Sequence, residues 1–226
     1  MEEETEKWLQ HYSSKQKILL VGEGDFSFSV SLARAFGSAA NITATSLDSF
    51  EELESNYGTE AKANIEELKA LGCTIMHGID VHFMSHDVNL RPKLHDRIIY
   101  NFPHAGFDVI WHEHDSFSIM QHQGLVRGFF KNAREIMKED GEVHVTHKTA
   151  YPFNKWDIEA LAEEESLCLV KKVPFCRWDY PGYLNRKGSG WNCSSTFPVG
   201  EASTFVFRKS VTESVIDALS SCNLDN

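Results

Sequence analysis

The sequence predicts an α/β domain built on a mostly parallel sheet with helices on both faces. Three observations carry this expectation. From residue 17 onward, short apolar runs alternate with amphipathic helical stretches. The first run, ILLV within residues 17–22 (KILLVG), is uninterrupted by polar residues, as in a strand covered on both faces. Gly22, Gly37, Gly72 and Gly141 each fall where a periodic segment ends or begins.

The elements follow in order. After the strand at 17–22, Phe28, Leu32 and Phe36 recur with helical spacing from Ser27 until Gly37 stops the helix. Residues 41–48 (NITATSLD) read as the second strand. Residues 51–71 form a charged helix with Tyr57, Ala61, Ile65 and Leu68 along one face, and residues 73–77 a third strand leading into Gly78-Ile79-Asp80. The fourth strand, 97–102, stops at Pro103, because proline cannot continue a central ladder. A long helix over 116–138 buries Ile119, Val126, Phe129, Phe130, Ala133, Ile136 and Met137. The turn Glu139-Asp140-Gly141 then leads to a fifth strand at 142–146. Residues 155–165 read as a helix, and 167–173 with 203–207 as a closing strand pair, giving seven strands with an antiparallel last one. The domain spans 17–209, preceded by an acidic extension (1–16) and followed by a tail or helix (210–226).

Composition narrows the function. A chain of 226 residues suits one compact unit, and 42% hydrophobic with 24% charged residues lies in the globular range. No apolar run is long enough to span a membrane, and the acidic start is unlike a signal peptide, so a soluble intracellular protein is expected. The net charge of −11 argues against a chain that coats polyanions; contact with nucleic acid must be local. Acids cluster at Glu2, Glu3, Glu4 and Glu6 and over 157–165, whereas basic residues gather at 91–97, 171–177 and 186–187. The cysteines, Cys73, Cys168, Cys176, Cys193 and Cys222, are odd in number and lack a C-x-x-C, which favours reduced thiols.

The strongest local signal is Gly22-Glu23-Gly24-Asp25-Phe26-Ser27, between a buried strand and an amphipathic helix. Glycines there allow a tight turn and close backbone approach to a nucleotide; Ser27 stands where a dinucleotide fingerprint has its third glycine. Glu23 and Asp25 would repel a pyrophosphate and welcome an ammonium and a sulfonium, which favours S-adenosyl-L-methionine over NAD. Asp48, ending the second strand, suits the ribose hydroxyls, with a helix cap or turn as the alternative. Asp80 faces the adenine amino group or serves as a turn residue.

Asn101, Phe102, Pro103 and His104 end the fourth strand, beside the crevice where strand order reverses. Phe102 is placed to stack on a base, Asn101 to orient it by hydrogen bonding, and His104 to take up a proton from a ring nitrogen. His144, Thr146, His147 and Lys148 alternate along and beyond the fifth strand. Trp178, Tyr180, Tyr183, Arg186, Lys187 and Trp191 interleave aromatic and basic groups in a long late loop, suited to gripping bases and phosphates or to packing the loop on its own domain. His82 with His86, and His112-Glu113-His114, lack the partners a metal site needs, so no metal is expected.

GEGDFSFSVSLA, GID, NFPHAGF, HVTHKT, YPGYLNRKG and GEASTFVF, in this order over residues 17–207, resemble the large-subunit ribosomal RNA (uridine-N3) methyltransferase-like family. The resemblance implies a Rossmann-like class I S-adenosyl-L-methionine-dependent methyltransferase fold acting on uridine N3. It places Gly22, Gly24, Asp48 and Asp80 on the cofactor side and residues 101–104 on the acceptor side; their place in the glycine turn adds Glu23, Asp25, Phe26 and Ser27 to the cofactor side, and their place at the fifth strand and late loop puts His147, Lys148, Tyr180, Tyr183, Arg186 and Lys187 toward the substrate. Ser189 departs from the acidic residue expected in the late loop. The implied partner is ribosomal RNA or a pre-ribosomal particle, met in the nucleolus or cytoplasm, with a further protein supplying RNA affinity. A methyltransferase on a small molecule or protein, and a non-catalytic cofactor-binding module, remain the alternatives.

Overall fold

The computed structural model describes residues 5–106, 112–188, 190 and 192–210. Glu2, Glu3, Glu4, Ser189, Trp191, Cys222 and the expected tail from 211 onward lie outside the described residues. Seven strands form one sheet: β1 (Ile18–Val21), β2 (Ile42–Thr45), β3 (Thr74–Met76), β4 (His95–Asn101), β5 (Met137–Lys148), β6 (Leu167–Pro174) and β7 (Ala202–Lys209). Their spatial order is β3-β2-β1-β4-β5-β7-β6, with β7 alone running opposite to the other six. Order reverses between β1 and β4, so a crevice opens at their carboxyl ends. In register, Leu19, Leu20 and Val21 lie opposite Ile98, Ile99 and Tyr100.

The side-chain alternation of β1 divides the core. Leu19 and Val21 face one layer with Ile98, Tyr100, Val143, Val145, Phe129, Phe130 and Phe207, covered by α3 (Ser116–Ile136) and α4 (Ile158–Glu164). Ile18 and Leu20 face the other with Phe28, Leu32, Ile42, Ile65 and Leu68, covered by α1 (Ser27–Phe36) and α2 (Phe50–Ala70). A strand buried on both sides must be apolar throughout, which is why ILLV was readable as central. The capping box of α2 joins Ser49 and Glu52 reciprocally. Gly58, at φ 64°, kinks that helix just after Tyr57.

The structure revises three local expectations. Residues 139–141 are no separate turn: the chain is already extended at Met137, which pairs with His95, and pairing resumes with Glu142 opposite Arg97. The intervening residues bulge, and a Cβ on Gly141 would lie 2.9 Å from the His95 carbonyl. The helix expected at 155–165 is split into a 3-10 turn, Phe153–Trp156, and α4, because Asp157 adopts a left-handed conformation (φ 51°). The basic residues at 91–97 gather before and at the start of β4, away from the crevice, and Arg97 pairs with Glu142.

Ahead of β1, a two-stranded ribbon (Trp8–Leu9 with Tyr12–Ser13) packs on the α1 side. Tyr12 is 1% exposed, and its hydroxyl lies 3.1 Å from His144 Nδ1. His144 Nε2 is 3.2 Å from Glu142, whose carboxylate also meets Arg97 and Arg208. The His144 hydrogen bond and these guanidinium groups hold Glu142 down to about 2 despite its burial. Tyr12→Ala removes a buried ring and leaves His144 without this partner. It is expected to cost about 3–5 kcal/mol in urea denaturation, and a change below about 1 kcal/mol would contradict the packing assigned to the ribbon.

Candidate active site

The turn after β1 is shaped by close approaches. Gly22 has φ +67°, and a Cβ there would lie 2.4 Å from the Tyr100 ring. A Cβ on Gly24 would lie 3.0 Å from the Tyr57 hydroxyl. Phe26, fully buried, is itself left-handed (φ 61°) and starts α1. The two acids beside it are engaged by the protein. Glu23 accepts from both Ser29 N (3.1 Å) and Ser29 Oγ (2.6 Å), and burial pushes its carboxyl up to about 7. Asp25 accepts from Ser27 N (3.0 Å) through one oxygen and from Arg186 Nε (2.5 Å) through the other. Both carboxylates thus answer the unsatisfied N–H groups and positive end of α1, rather than standing open for a cationic ligand as the sequence suggested.

These residues line a cleft of about 160 Å³ in the crevice between β1 and β4. Asp48 lines it at the end of β2, half-buried, with Asn56 Nδ2 3.2 Å from its carboxylate and burial raising its carboxyl. The neighbouring Leu47, 63% exposed, is also in the lining. Asp80 is outside it: its carboxylate accepts from His82 N (2.9 Å) and lies 2.8 Å from His82 Nδ1, which is the turn alternative.

The tip of β4 joins this cleft to a second cavity of about 260 Å³. Both are lined by Phe102, His104, Arg186, Lys187 and Phe197. Asn101 lines the cleft, and among the described residues its buried Oδ1 and Nδ2 have no hydrogen-bond partner. Phe102 is left-handed (φ 50°), and its ring meets Phe175 and Phe197 edge-on at 5.3 and 5.2 Å. Pro103, buried, lines the second cavity. His104 accepts from Gly106 N (3.0 Å) at Nδ1, which places the proton of a neutral ring on Nε2. Burial, with His122, Lys148 and His147 nearby, pushes its imidazole down to about 3. The role expected for it, taking up a proton near neutral pH, is therefore disfavoured; a neutral donor fits this environment.

The late loop divides between the two roles the sequence left open, packing on its own domain and lining the site. Tyr180 is buried, stacked on Phe175 at 5.7 Å, and belongs to the core rather than to a substrate surface. Tyr183 is a wall of the first cleft, edge-on to Phe28. Ser27 lies behind that wall, its Oγ 2.9 Å from Leu184 N. Arg186 is committed within the chain, to Asp25, Glu60 and the Ser194 carbonyl, so it fastens the loop instead of presenting a phosphate grip. Lys187 remains at the rim of both cavities. The second cavity also takes His147 and Lys148, together with Glu113, Phe153, Trp156 and Pro198. Trp178, 79% exposed, stands apart with Arg177 over its ring.

Phe197 is the residue that sequence reading missed. It lines both cavities and is held by Asn185, whose Nδ2 donates to the Phe197 carbonyl at 2.5 Å. Trp156, packed on His122 and His147 at 4.3 Å each, was likewise unforeseen. Neither position carries a periodic or motif signal. Among the described residues, no group of three or more metal-ligating side chains is arranged around one point, and no helix is long and apolar enough to cross a membrane.

Residues 19–187 match the sequence profile of the BMT5-like family, described as rRNA (uridine-N3-)-methyltransferase BTM5-like. The chain belongs to this family. It is 55% identical over 207 residues to an uncharacterized Arabidopsis thaliana protein, covering 91% of this chain and 99% of that one. It is 48% identical to heavy metal-associated isoprenylated plant protein 41 of the same species, covering 90% of this chain and 39% of that longer protein. The yeast 25S rRNA (uridine(2634)-N(3))-methyltransferase is 26% identical over 257 residues, covering 90% and 75%. Among solved structures, a Pyrococcus furiosus methyltransferase superposes with a TM-score of 0.51 at 14% identity, over 87% of this chain and 76% of that one. TrmN from Thermus thermophilus gives 0.51 at 15%, over 86% and 44%. The fold is that of class I methyltransferases, and membership of the family makes the chain a methyltransferase. Fold and family together imply dependence on S-adenosyl-L-methionine.

The imidazoles of His11, His95 and His147 are pushed down to about 4, and that of His104 to about 3, chiefly by burial. The unfolded chain therefore binds protons that the folded chain refuses between pH 6.5 and 4. Stability is expected to fall through that window as pH drops, by up to about 1.4 kcal/mol per pH unit for each histidine. Glu23, raised to about 7, works in the opposite sense between pH 4.5 and 7. Urea denaturation at pH 7, 6, 5 and 4 measures the balance; a flat profile would contradict the neutral burial of these rings.

Proposed function

We propose that the chain transfers a methyl group from S-adenosyl-L-methionine to N3 of a uridine in large-subunit ribosomal RNA. The observation that carries this reading is the junction at the tip of β4. There a buried Asn101 amide lacks partners, beside a glycine-lined cleft that shares Phe102 and His104 with a second cavity. A buried polar group without a partner is rare and calls for a ligand. An amide offers one donor side and one acceptor side, complementary to the imide edge of uracil.

The residues present fit the cofactor. Gly22 and Gly24 leave the approach where a Cβ would collide, Asp48 offers a half-buried carboxylate to the ribose hydroxyls, and Leu47 offers an apolar wall to the adenine. When bound, the cofactor supplies a methyl group activated by a sulfonium. The chain's own part is positioning and exclusion of water. Phe102 stacks on the base, Asn101 orients it, Pro103 closes the strand, and His104 donates through Nε2. Lys187, at the rim, meets the RNA backbone. The base must be unpaired or flipped out, since pairing occupies N3. Because the chain carries a net charge of −11, much of the RNA affinity is assigned to a protein partner or to the pre-ribosomal particle, in the nucleolus or cytoplasm.

Incubation of the full chain and cofactor with unmodified large-subunit rRNA, followed by nucleoside mass spectrometry, is expected to yield N3-methyluridine. Asn101→Ala is expected to lower turnover by about 10²-fold. Transfer to protein or small molecules without any RNA product would discard the reading, and wild-type turnover by Asn101→Ala would remove its assigned role.

A further inference from the structure

We propose that Lys148 is a catalytic residue: its ammonium, seated against Phe153 and Phe197 in the second cavity, stabilises the negative charge that builds on uracil O2 or O4 as N3 loses its proton, and so selects uridine over cytidine. The inference rests on the uridine-N3 reading above and adds the group that makes the acceptor reactive.

Lys148 ends β5, in register with Ala202 of β7. Its Nζ lies 4.5 Å from the Phe153 ring centroid and 4.8 Å from that of Phe197. Aromatic faces attract a cation without neutralising it, unlike a carboxylate. Among the described residues Glu113 is the one carboxylate in the cavity lining, and no ion pair joins it to Lys148. The other titratable groups of that lining are His104, His147, Arg186 and Lys187; on its far side Lys148 also borders a small hollow with Asp157, Glu159 and Lys172. Arg186 is bound to Asp25 and Glu60, and Lys187 has no aromatic seat among the described contacts. Partial burial presses the half-buried Lys148 ammonium below its ordinary range, and the Glu113 carboxylate opposes this without pairing with it.

The chemistry asks for such a charge. Uridine N3 carries a proton that must leave to water. The freed N3 lone pair forms the new N–C bond, and the donor sulfur keeps the pair of the bond that breaks. Through this step the pyrimidine carries a negative charge shared among N3, O2 and O4, then returns to neutrality. Cytidine N3 carries no proton, and its methylated ring is a cation. A fixed ammonium lowers the first barrier and raises the second. His104, neutral in its pocket, cannot supply this charge.

The test uses the full chain with transcripts of large-subunit rRNA containing uridine, 5-fluorouridine (a more acidic N3–H) or cytidine at the modified position. Lys148→Met is expected to lower kcat on uridine about 10²-fold, with Lys148→Arg retaining activity within about 10-fold of wild type. The 5-fluorouridine transcript should narrow the gap between Lys148→Met and wild type, and Lys148→Met should raise cytidine methylation relative to uridine. Melting temperature and S-adenosylhomocysteine titration check that the variants are folded; if Lys148→Met does not fold, Lys148→Gln carries the same comparison. Wild-type activity on uridine with equal activity in the folded Lys148 variant, or Lys148→Arg as deficient as Lys148→Met, overturns the inference alone. Absence of N3-methyluridine with the wild-type chain overturns the functional reading and this inference with it.

Discussion

The contact between Asp25 and Arg186 decides whether the site exists. The two residues are 161 positions apart, yet Arg186 Nε lies 2.5 Å from the carboxylate that also caps α1. Through this pair, and the neighbouring contact of Ser27 with Leu184, the late loop is fixed across the first strand-to-helix turn. Only then do Tyr183, Lys187 and Phe197 become walls of the cleft and of the adjoining cavity. A buried ion pair is a poor source of net stability, because desolvation offsets its attraction, but losing one partner leaves a buried charge uncompensated. Its value here is geometric: it sets where the loop sits.

Much of the sheet was legible because parallel strands are buried on both faces and must be apolar throughout. ILLV at 18–21 announces itself for that reason, and Pro103 marks the end of β4 because it cannot donate to a ladder. The glycine turn was legible for a steric reason that the Tyr100 contact makes concrete. What the sequence could not reveal were partners far along the chain. Glu23 and Asp25 read as bare negative charge because their donors, Ser29 and Arg186, are assigned only by the fold. Tyr180 could be read equally as a surface aromatic or as loop packing, because its neighbours Tyr12 and Phe28 come from distant segments. Phe197 sits in a loop with no period, so nothing local distinguishes it.

Histidine gave the least reliable signal. An unperturbed imidazole titrates near neutrality, and proton transfer by His104 followed from that property. The fold places His104, His122 and His147 around Trp156, away from water, and the outcome is a set of neutral rings. Charge behaves similarly at the scale of the whole chain. A net −11 says little about the second cavity, where Lys148 and Lys187 face a lining with a single carboxylate among the described residues. What a bound base meets is the local field, not the sum over the surface.

Phe26 and Phe102 flank the crevice, one after β1 and one after β4, and each holds a positive φ that glycine adopts at no steric cost. Both sites together forgo about 2–6 kcal/mol of backbone ease. At Phe26 the fully buried ring repays that cost through core packing, whereas the ring of Phe102 lines both cavities and repays less of it. The cocked phenylalanine at the tip of β4 therefore marks the place where fitness for a guest outweighs comfort at rest.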